Sequence, residues 1–231
     1  MSERLLIIAA HPDDETLGCG GTIARHTAAG DPVRVVFLAE GVTARYDPKD
    51  FNTPLVVEQS KRRNMNAIKA LGILGVPKNA IHLNTRPCCR LDQVPQIDLV
   101  KQIEQHINDF SPTALYTHWP HDTNVDHRLA FKSTLTAVRP LDGKAPKRVC
   151  SFEAPSSTEW NPTIPFHANV FHDISDYINL KIDALRAYDD EMRPAPHPRS
   201  EEVVRALATY RGSQVGVSQA EGFNLIRSLV K

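Results

Sequence analysis

The sequence of 231 residues predicts an α/β fold, a Rossmann-like, doubly wound and mostly parallel sheet with helices on both faces. Short β-type runs alternate along the chain with amphipathic helical stretches, which is typical of βαβ units. The first two runs, residues 5–10 and 33–39, are almost continuously apolar, as expected for parallel strands buried on both faces. The length allows one sizeable core, so we expect residues 1–231 to form a single domain.

The predicted elements follow one another in a regular order. A helix over residues 22–29 ends at Gly30, since glycine commonly ends helices, and the second strand follows it. A longer helix has Met65, Ile68 and Leu71 at helical spacing. The remaining elements are helices at 58–74, 97–110 and 127–138 and strands at 80–83, 114–117 and 148–152. Together they form a predicted core of about residues 1–152.

The C-terminal part, about residues 153–231, has a less regular pattern. Prolines divide it into loops around two predicted helices, at 175–189 and 201–212. We expect a loop-rich C-terminal cap that walls a pocket rather than a second domain.

Composition excludes several classes of partner. The chain has 27 Lys and Arg and 27 Asp and Glu, so no net field favours nucleic acid or an acidic membrane. No apolar run reaches the length of a membrane span, and no signal peptide is evident, which predicts a cytoplasmic protein. The four cysteines suit a reducing compartment, and the adjacent pair Cys88-Cys89 is a poor structural disulfide. The oligomeric state stays open, and a homo-oligomer is possible in principle.

Two segments carry the chemistry. The first strand runs into His11-Pro12-Asp13-Asp14-Glu15. Carboxylates beside a buried strand repel one another and lose solvation unless a positive charge lies between them, and a divalent metal ion meets that need. Residues 117–128 supply matching groups after a later strand, at the same edge of the sheet.

Purely structural roles explain these residues only in part. An acid-rich helix start accounts for Asp14 and Glu15 but leaves His11 unexplained. Asp126-His127 alone is typical of a helix N-cap with a solvated histidine, and only as the partner of His11 does His127 become a ligand. Gly18, Gly20 and Gly21 lack the spacing of a phosphate-binding loop.

These motifs resemble those of a known family. His11 to Glu15 with Gly18-x-Gly20-Gly21, followed by Asp126-His127-Arg128, is similar to the zinc-dependent PIG-L/LmbE-like N-deacetylases. Residues 153–160, 196–200 and 211–223 agree as well, so the resemblance covers nearly the whole chain.

The resemblance implies a specific site and activity. His11, Asp14 and His127 would bind one zinc ion, and Asp13 would be the general base. The reaction would remove an N-acetyl or short N-acyl group from an amino-sugar derivative such as an N-acetylglucosamine conjugate. Three N and O ligands also leave a fourth position for water, as a catalytic zinc site requires, although other divalent metals stay open.

The sequence departs from the family pattern at two places. Many members carry His-x-Asp-His where this chain has Asn124-Val125-Asp126-His127, and an asparagine cannot shuttle a proton. We predict that Asn124 and Asp126 belong to the catalytic group and that His197, or else His121, replaces the missing charged donor. Cys88-Cys89 precedes Arg90-Leu91-Asp92 where related sequences often have Asp-Asn. The predicted substrate-binding residues are Arg62, Arg90, Asp92 and Arg199.

Two other functions remain as alternatives. Two histidines and one carboxylate also form the ligand set of non-haem iron oxygenases, a class disfavoured by the adjacent Asp13. A non-catalytic sugar-binding protein would keep the metal loop but has no need of a general base.

Overall fold

A computed structural model describes residues 3–141, 143 and 145–230. These residues form a seven-stranded sheet. The strands are β1 (Leu5–Ala9), β2 (Val33–Phe37), β3 (Ile81–His82), β4 (Ala114–His118), β5 (Arg148–Phe152), β6 (Val170–Asp173) and β7 (Ala220–Ser228). Their spatial order is β3-β2-β1-β4-β5-β7-β6; the first five are parallel, and β7 pairs antiparallel with both β5 and β6.

Helices cover both faces of the sheet. The helices are α1 (Asp14–Ala28), α2 (Pro54–Ile73), α3 (Gln96–Phe110), α4 (Val125–Ala137), α5 (Ile178–Arg186) and α6 (Glu201–Ser213). Alternate residues of β1 face opposite sides: Leu5 and Ile7 pack with α1, α2 and α5, whereas Leu6 and Ile8 pack with α3 and α4. All four side chains are buried, which explains why the strand is apolar throughout. The predicted α/β, mostly parallel fold is confirmed.

The strand order determines where a ligand can bind. β1 lies between β2 and β4, and the direction of winding reverses between β1 and β4. In open parallel sheets this reversal leaves a crevice outside the carboxyl ends of the two strands.

The predicted start of the first helix at residue 22 is wrong, because α1 already begins at Asp14. The glycines of this helix allow close packing rather than a loop. A Cβ atom on Gly18 would lie 2.4 Å from Cδ2 of Phe152, and one on Gly21 would lie 2.7 Å from Cγ2 of Ile174. Helix α1 can therefore approach β5 and the segment after β6 only where it lacks side chains.

The C-terminal part adds β6 and β7 to the sheet, two strands that the sequence pattern did not predict. Strand β7 carries the charged residue Glu221, which is stabilised there by its contacts. Its carboxylate accepts hydrogen bonds from the amides of Gly21 and Thr22, at 2.9 and 2.7 Å, and from Nζ of Lys181 at 2.6 Å. The Glu221 carboxylate thus connects β7 to α1 through hydrogen bonds and to α5 through a buried ion pair.

Within the described residues, every helix is too short or too polar to span a bilayer.

Candidate metal centre

The three predicted metal ligands lie in the crevice between β1 and β4. His11 and Asp14 follow the end of β1, and Asp14 is the first residue of α1. His127 lies in the first turn of α4, after the end of β4. Two neighbouring parallel strands and the helices that follow them therefore bring these residues together.

The geometry of this trio fits a small cation. Oδ2 of Asp14 lies 3.3 Å from Nδ1 of His11 and 3.2 Å from Nε2 of His127. Ligand atoms bound tetrahedrally to zinc, at about 2.0–2.2 Å from it, are roughly 3.3 Å apart. All three side chains are buried, and the charge of the neighbouring His127 imidazole, with the hydrogen bonds to His11 and His127, holds the pKa of Asp14 well below its usual range despite that burial. Two nitrogens and one carboxylate oxygen at this spacing form a donor set for a divalent metal.

Each of the two histidines is oriented by a second carboxylate. Oδ2 of Asp126 lies 2.9 Å from Nε2 of His11, and Oδ1 of Asp122 lies 3.2 Å from Nδ1 of His127. Such carboxylate–histidine pairs are typical of metal ligands, because they fix both the tautomer and the direction of the ring.

The surroundings of His127 also indicate a need for positive charge. Burial by itself lowers the pKa of this ring, but Asp14 and Asp122 on its two sides raise the pKa to about 9. The carboxylates thus stabilise a cation at this point, and a divalent metal ion satisfies the same requirement.

Asp13 lies beside the trio in an unusual backbone conformation. Its φ of 125° is in the region that disfavours residues with a side chain. Its carbonyl accepts the amide of Leu17 at 2.9 Å to begin α1, while its own amide donates to Oε2 of Glu15 at 2.9 Å. These two hydrogen bonds hold the Asp13 backbone in this conformation immediately before Asp14, the first residue of α1.

The Asp13 carboxylate is paired with an arginine. Burial raises the pKa of Asp13 to about 6, and the guanidinium of Arg199 opposes this rise. Nη1 of Arg199 donates to Oδ2 of Asp13 at 2.7 Å. An ionised carboxylate with a pKa close to neutrality is suited to accept a proton during a reaction.

A buried glutamate holds this arginine in place. Oε2 of Glu191 accepts from Nη1 of Arg199 at 2.6 Å, and Oε1 accepts from Arg45 and Arg63. Arg63 is almost completely buried and its Nη1 lies 3.6 Å from Oδ2 of Asp13. The arginines therefore surround both carboxylates, and Arg199 and Arg63 oppose the rise of the Asp13 pKa.

The other two members of the predicted catalytic group have identifiable contacts. Asn124 is the N-cap of α4; its Oδ1 accepts the amide of Asp126 at 2.9 Å, and its NH₂ group donates to Sγ of Cys89 at 3.8 Å. His197 is half-buried in the loop before α6, where its Nδ1 accepts the amide of Arg199 at 3.1 Å. A neutral His197 therefore carries its proton on Nε2.

The remaining predicted residues lie further out. Arg62 is on the exposed side of α2 and pairs with Asp189 at 2.5 Å. The guanidinium of Arg90 stacks over the ring of Phe51, 5.3 Å from its centroid. His121 and Asp92 are exposed.

Sequence reasoning missed several residues that the fold brings to the site. They are Arg63, Asp122, Ser157, Glu191 and His118. A signal for Arg63 was available: with Val56, Ala67 and Ala70 it falls on one helical face, whereas Met65 is exposed. His118, Asp122 and Ser157 lie in segments that the sequence already singled out, but nothing local distinguishes them there, and Glu191 is an ordinary loop carboxylate in the sequence.

His118 is the second ring at the centre of the crevice. It is fully buried, and its ring stacks on His127 with 3.9 Å between centroids. Burial lowers its pKa to about 3, and its Nε2 accepts the amide of Ala10 at 2.8 Å. His118 is thus a neutral ring that supports His127 and anchors the end of β1.

Comparison with known proteins gives consistent matches. The model of the PIG-L family, described as GlcNAc-PI de-N-acetylase, matches residues 6–138. A probable N-acetyl-alpha-D-glucosaminyl L-malate deacetylase 2 of Bacillus subtilis is 27% identical over 192 residues, covering 81% of this chain and 83% of that protein. A diacetylchitobiose deacetylase of Thermococcus kodakarensis is 25% identical over 231 residues, covering 97% and 83%.

Solved structures share the fold. An N,N'-diacetylchitobiose deacetylase from Pyrococcus horikoshii superimposes with a TM-score of 0.75 at 22% identity, covering 97% of this chain and 84% of that one. A 4-carboxy-2-hydroxymuconate hydratase from Pseudomonas putida gives 0.75 at 21% identity, covering 100% and 98%. Because this fold carries both a deacetylase and a hydratase, it does not by itself identify a reaction.

Proposed function

The chain belongs to the PIG-L family, and we propose that it is a metal-dependent hydrolase that removes an N-acetyl group from an amino-sugar derivative. The observation that carries this proposal is the arrangement of three buried donors, His11, Asp14 and His127, beside a carboxylate that two arginines keep charged. The amino-sugar class is supported by the relatives, whose names specify acetylated glucosaminyl malate and diacetylchitobiose.

The proposed mechanism assigns the metal to His11, Asp14 and His127. A divalent cation held there, with zinc as the proposed ion, would polarise the acetyl carbonyl and lower the pKa of a water molecule to roughly 7. Asp126 and Asp122 keep the two rings aimed at it from behind.

Asp13 moves the proton in this mechanism. Its carboxylate takes the proton of the attacking water as general base and then donates that proton to the amide nitrogen, so that the amine leaves and acetate forms. Arg199 holds the carboxylate at 2.7 Å and limits the rise of its pKa. His197, through Nε2, is the proposed donor to the negative charge that develops on the acyl oxygen, and the NH₂ of Asn124 is a second donor.

The proposed contacts to sugar hydroxyls are Arg90, Asp92, Arg199 and Arg62. Arg199 can serve both Asp13 and the substrate because its guanidinium has five N–H groups. Arg62 would first have to leave its ion pair with Asp189, so it is the weakest of the four proposed contacts.

The test is amine release from a panel of N-acetylated sugars, using chelator-treated protein with and without added zinc. We expect zinc to restore release and Asp13→Asn to lower kcat by about 10²–10⁴-fold with unchanged zinc content. Asp176→Asn, the same substitution on an exposed turn residue, is the matched control and should keep wild-type kcat.

Two other outcomes would contradict the proposal. Sugar binding without amine release, equal in the wild type and in Asp13→Asn, would indicate a binding protein. Turnover that needs iron and molecular oxygen would indicate an oxygenase, because a hydrolase works equally well under anaerobic conditions.

A further inference from the structure

Two adjacent cysteines lie beside the candidate metal centre. Sγ of Cys88 and Sγ of Cys89 are 3.7 Å apart, and they share a cluster with His11 and Asp126 in which potential ligand atoms lie within 4.8 Å of one another. All four cysteines of the chain are in the described residues. Cys19, Cys88 and Cys150 are buried and Cys89 is exposed. The pair thus combines one accessible thiol with one buried thiol at the edge of the site.

The backbone of this pair supports the residue that orients His11. The amide of Cys89 donates to Oδ2 of Asp126 at 2.7 Å, the same oxygen that lies 2.9 Å from Nε2 of His11. The amide of Cys88 is anchored differently, to Oε1 of Glu40 at 3.0 Å and to Oγ1 of Thr43 at 2.8 Å. Only the Cys89 half of the pair is therefore connected to the metal centre through its backbone.

We propose that Cys88 and Cys89 are a reversible oxidation site at which a hydroperoxide forms a disulfide between adjacent residues and so turns the metal centre off. The loss of activity in this inference rests on the proposed function, whereas the formation of the disulfide does not depend on it.

The chemistry is a two-electron oxidation. The sulfur of one cysteine of the pair attacks the peroxide as its thiolate, the O–O bond breaks, and a sulfenic acid and one molecule of water or alcohol form. The sulfur of the other cysteine then attacks that sulfur, and the S–S bond forms as the sulfenic oxygen leaves as water. Each thiol loses one proton and one electron, and the peroxide is reduced. A dithiol reverses the change by exchange.

Closure of this bond must move the backbone. The sulfurs have to approach from 3.7 Å to about 2.05 Å, and the small ring that results contains the peptide bond between the two residues. Cys89 already has a φ of 57°, a conformation that disfavours residues with a side chain. Since Glu40 and Thr43 hold the Cys88 amide, the displacement falls on the Cys89 amide, and Asp126 loses a donor. His11 then loses part of its orientation.

A second metal ion in this cluster fits the structure less well. Oδ2 of Asp126 already accepts from both His11 and Cys89, and Oδ1 accepts from the amide of Leu91 at 2.9 Å. To bind a second ion, His11 would have to use Nε2 and give up the proton there. That proton is the one it donates to Asp126 while Nδ1 faces Asp14 in the candidate metal centre. Oxidation requires neither change.

The experiment treats the zinc-loaded full chain with hydrogen peroxide, removes the excess with catalase, and measures intact mass, cobalt affinity of the chelator-treated sample and amine release. We expect the loss of two hydrogens per chain, mapped to the peptide with Cys88 and Cys89, and a fall of about tenfold or more in both cobalt affinity and activity. Dithiothreitol should restore all three readouts.

Matched variants separate this disulfide from general oxidation. Cys88→Ser and Cys89→Ser cannot form the bond, so each should keep its own untreated cobalt affinity and activity after the same treatment, whereas Cys150→Ala should respond like the wild type. The proposal is overturned by a wild type that loses no hydrogens, by a disulfide that leaves cobalt affinity unchanged, or by equal inactivation of Cys88→Ser. If the untreated protein releases no amine, the proposed function fails, while mass and cobalt affinity still decide about the pair.

Discussion

Replacement of Asp126 by asparagine tests the support of the metal centre most directly. Three donors converge on the two oxygens of this buried carboxylate: Oδ2 faces Nε2 of His11 and the amide of Cys89, and Oδ1 faces the amide of Leu91. Asp126→Asn keeps the shape of the side chain but replaces one acceptor oxygen with an NH₂ donor.

The size of the effect follows from these contacts. In the better orientation the amide oxygen serves His11 and Cys89, and the NH₂ group faces the Leu91 amide, which leaves a buried donor without a partner at a cost of about 1–3 kcal/mol. The pull of the negative charge on the His11 proton is also lost. Loss of such a partner behind a ligand typically lowers metal affinity by about 10–100-fold. This corresponds to about 1.4–2.8 kcal/mol, in the same range as the cost of the unpaired donor.

The assay is a zinc competition titration with a chromophoric chelator, together with urea unfolding of the metal-free protein. We expect Asp126→Asn to bind zinc about 10–100-fold more weakly and Asp176→Asn to bind it like the wild type. Equal zinc affinity of Asp126→Asn and the wild type, in a folded protein, would refute the role of Asp126 as the partner that orients His11.

Three further predictions concern charge and stability. Arg199→Ala should move the acidic limb of the pH–rate profile to higher pH, because Arg199 opposes the rise of the Asp13 pKa; an unmoved limb would exclude Asp13 as the titrating base. Lys181→Ala leaves the buried Glu221 carboxylate without its cation and should lower the free energy of unfolding, measured by urea titration, by about 3–5 kcal/mol. Lys132→Ala, on α4, is the control. A loss as small as that of the control would contradict the role of this ion pair. Burial lowers the pKa of His172 from 6.5 to about 3. The contribution of the neutral ring to the free energy of unfolding is therefore fully present above pH 6.5 and is lost as the pH falls toward 3. His172→Gln should therefore flatten the pH dependence of the unfolding free energy between about pH 7 and pH 5, and an unchanged slope would contradict this assignment.

Local pattern was sufficient for the parallel half of the fold. The strands β1, β2, β4 and β5 are buried runs whose composition predicts them, and the carboxyl ends of β1 and β4 had to lie at one edge of the sheet. The pattern failed where sequence and packing disagree. The glycines of α1 disfavour a helix locally, but they let it pack closely against Phe152 and Ile174, and Glu221 in β7 is stable only through its contacts with α1 and Lys181.

The sequence by itself determined the chemical groups and their approximate place: two histidines and two adjacent carboxylates after strands of a parallel sheet. Only the tertiary structure decided which neighbours make those groups effective. Three contacts show this: Asp122 with His127, Glu191 with the arginines, and the Cys89 amide with Asp126. Their partners are separated by long stretches of chain or by the turn of a helix. Such contacts depend on burial and charge pairing in three dimensions, and no local periodicity encodes them.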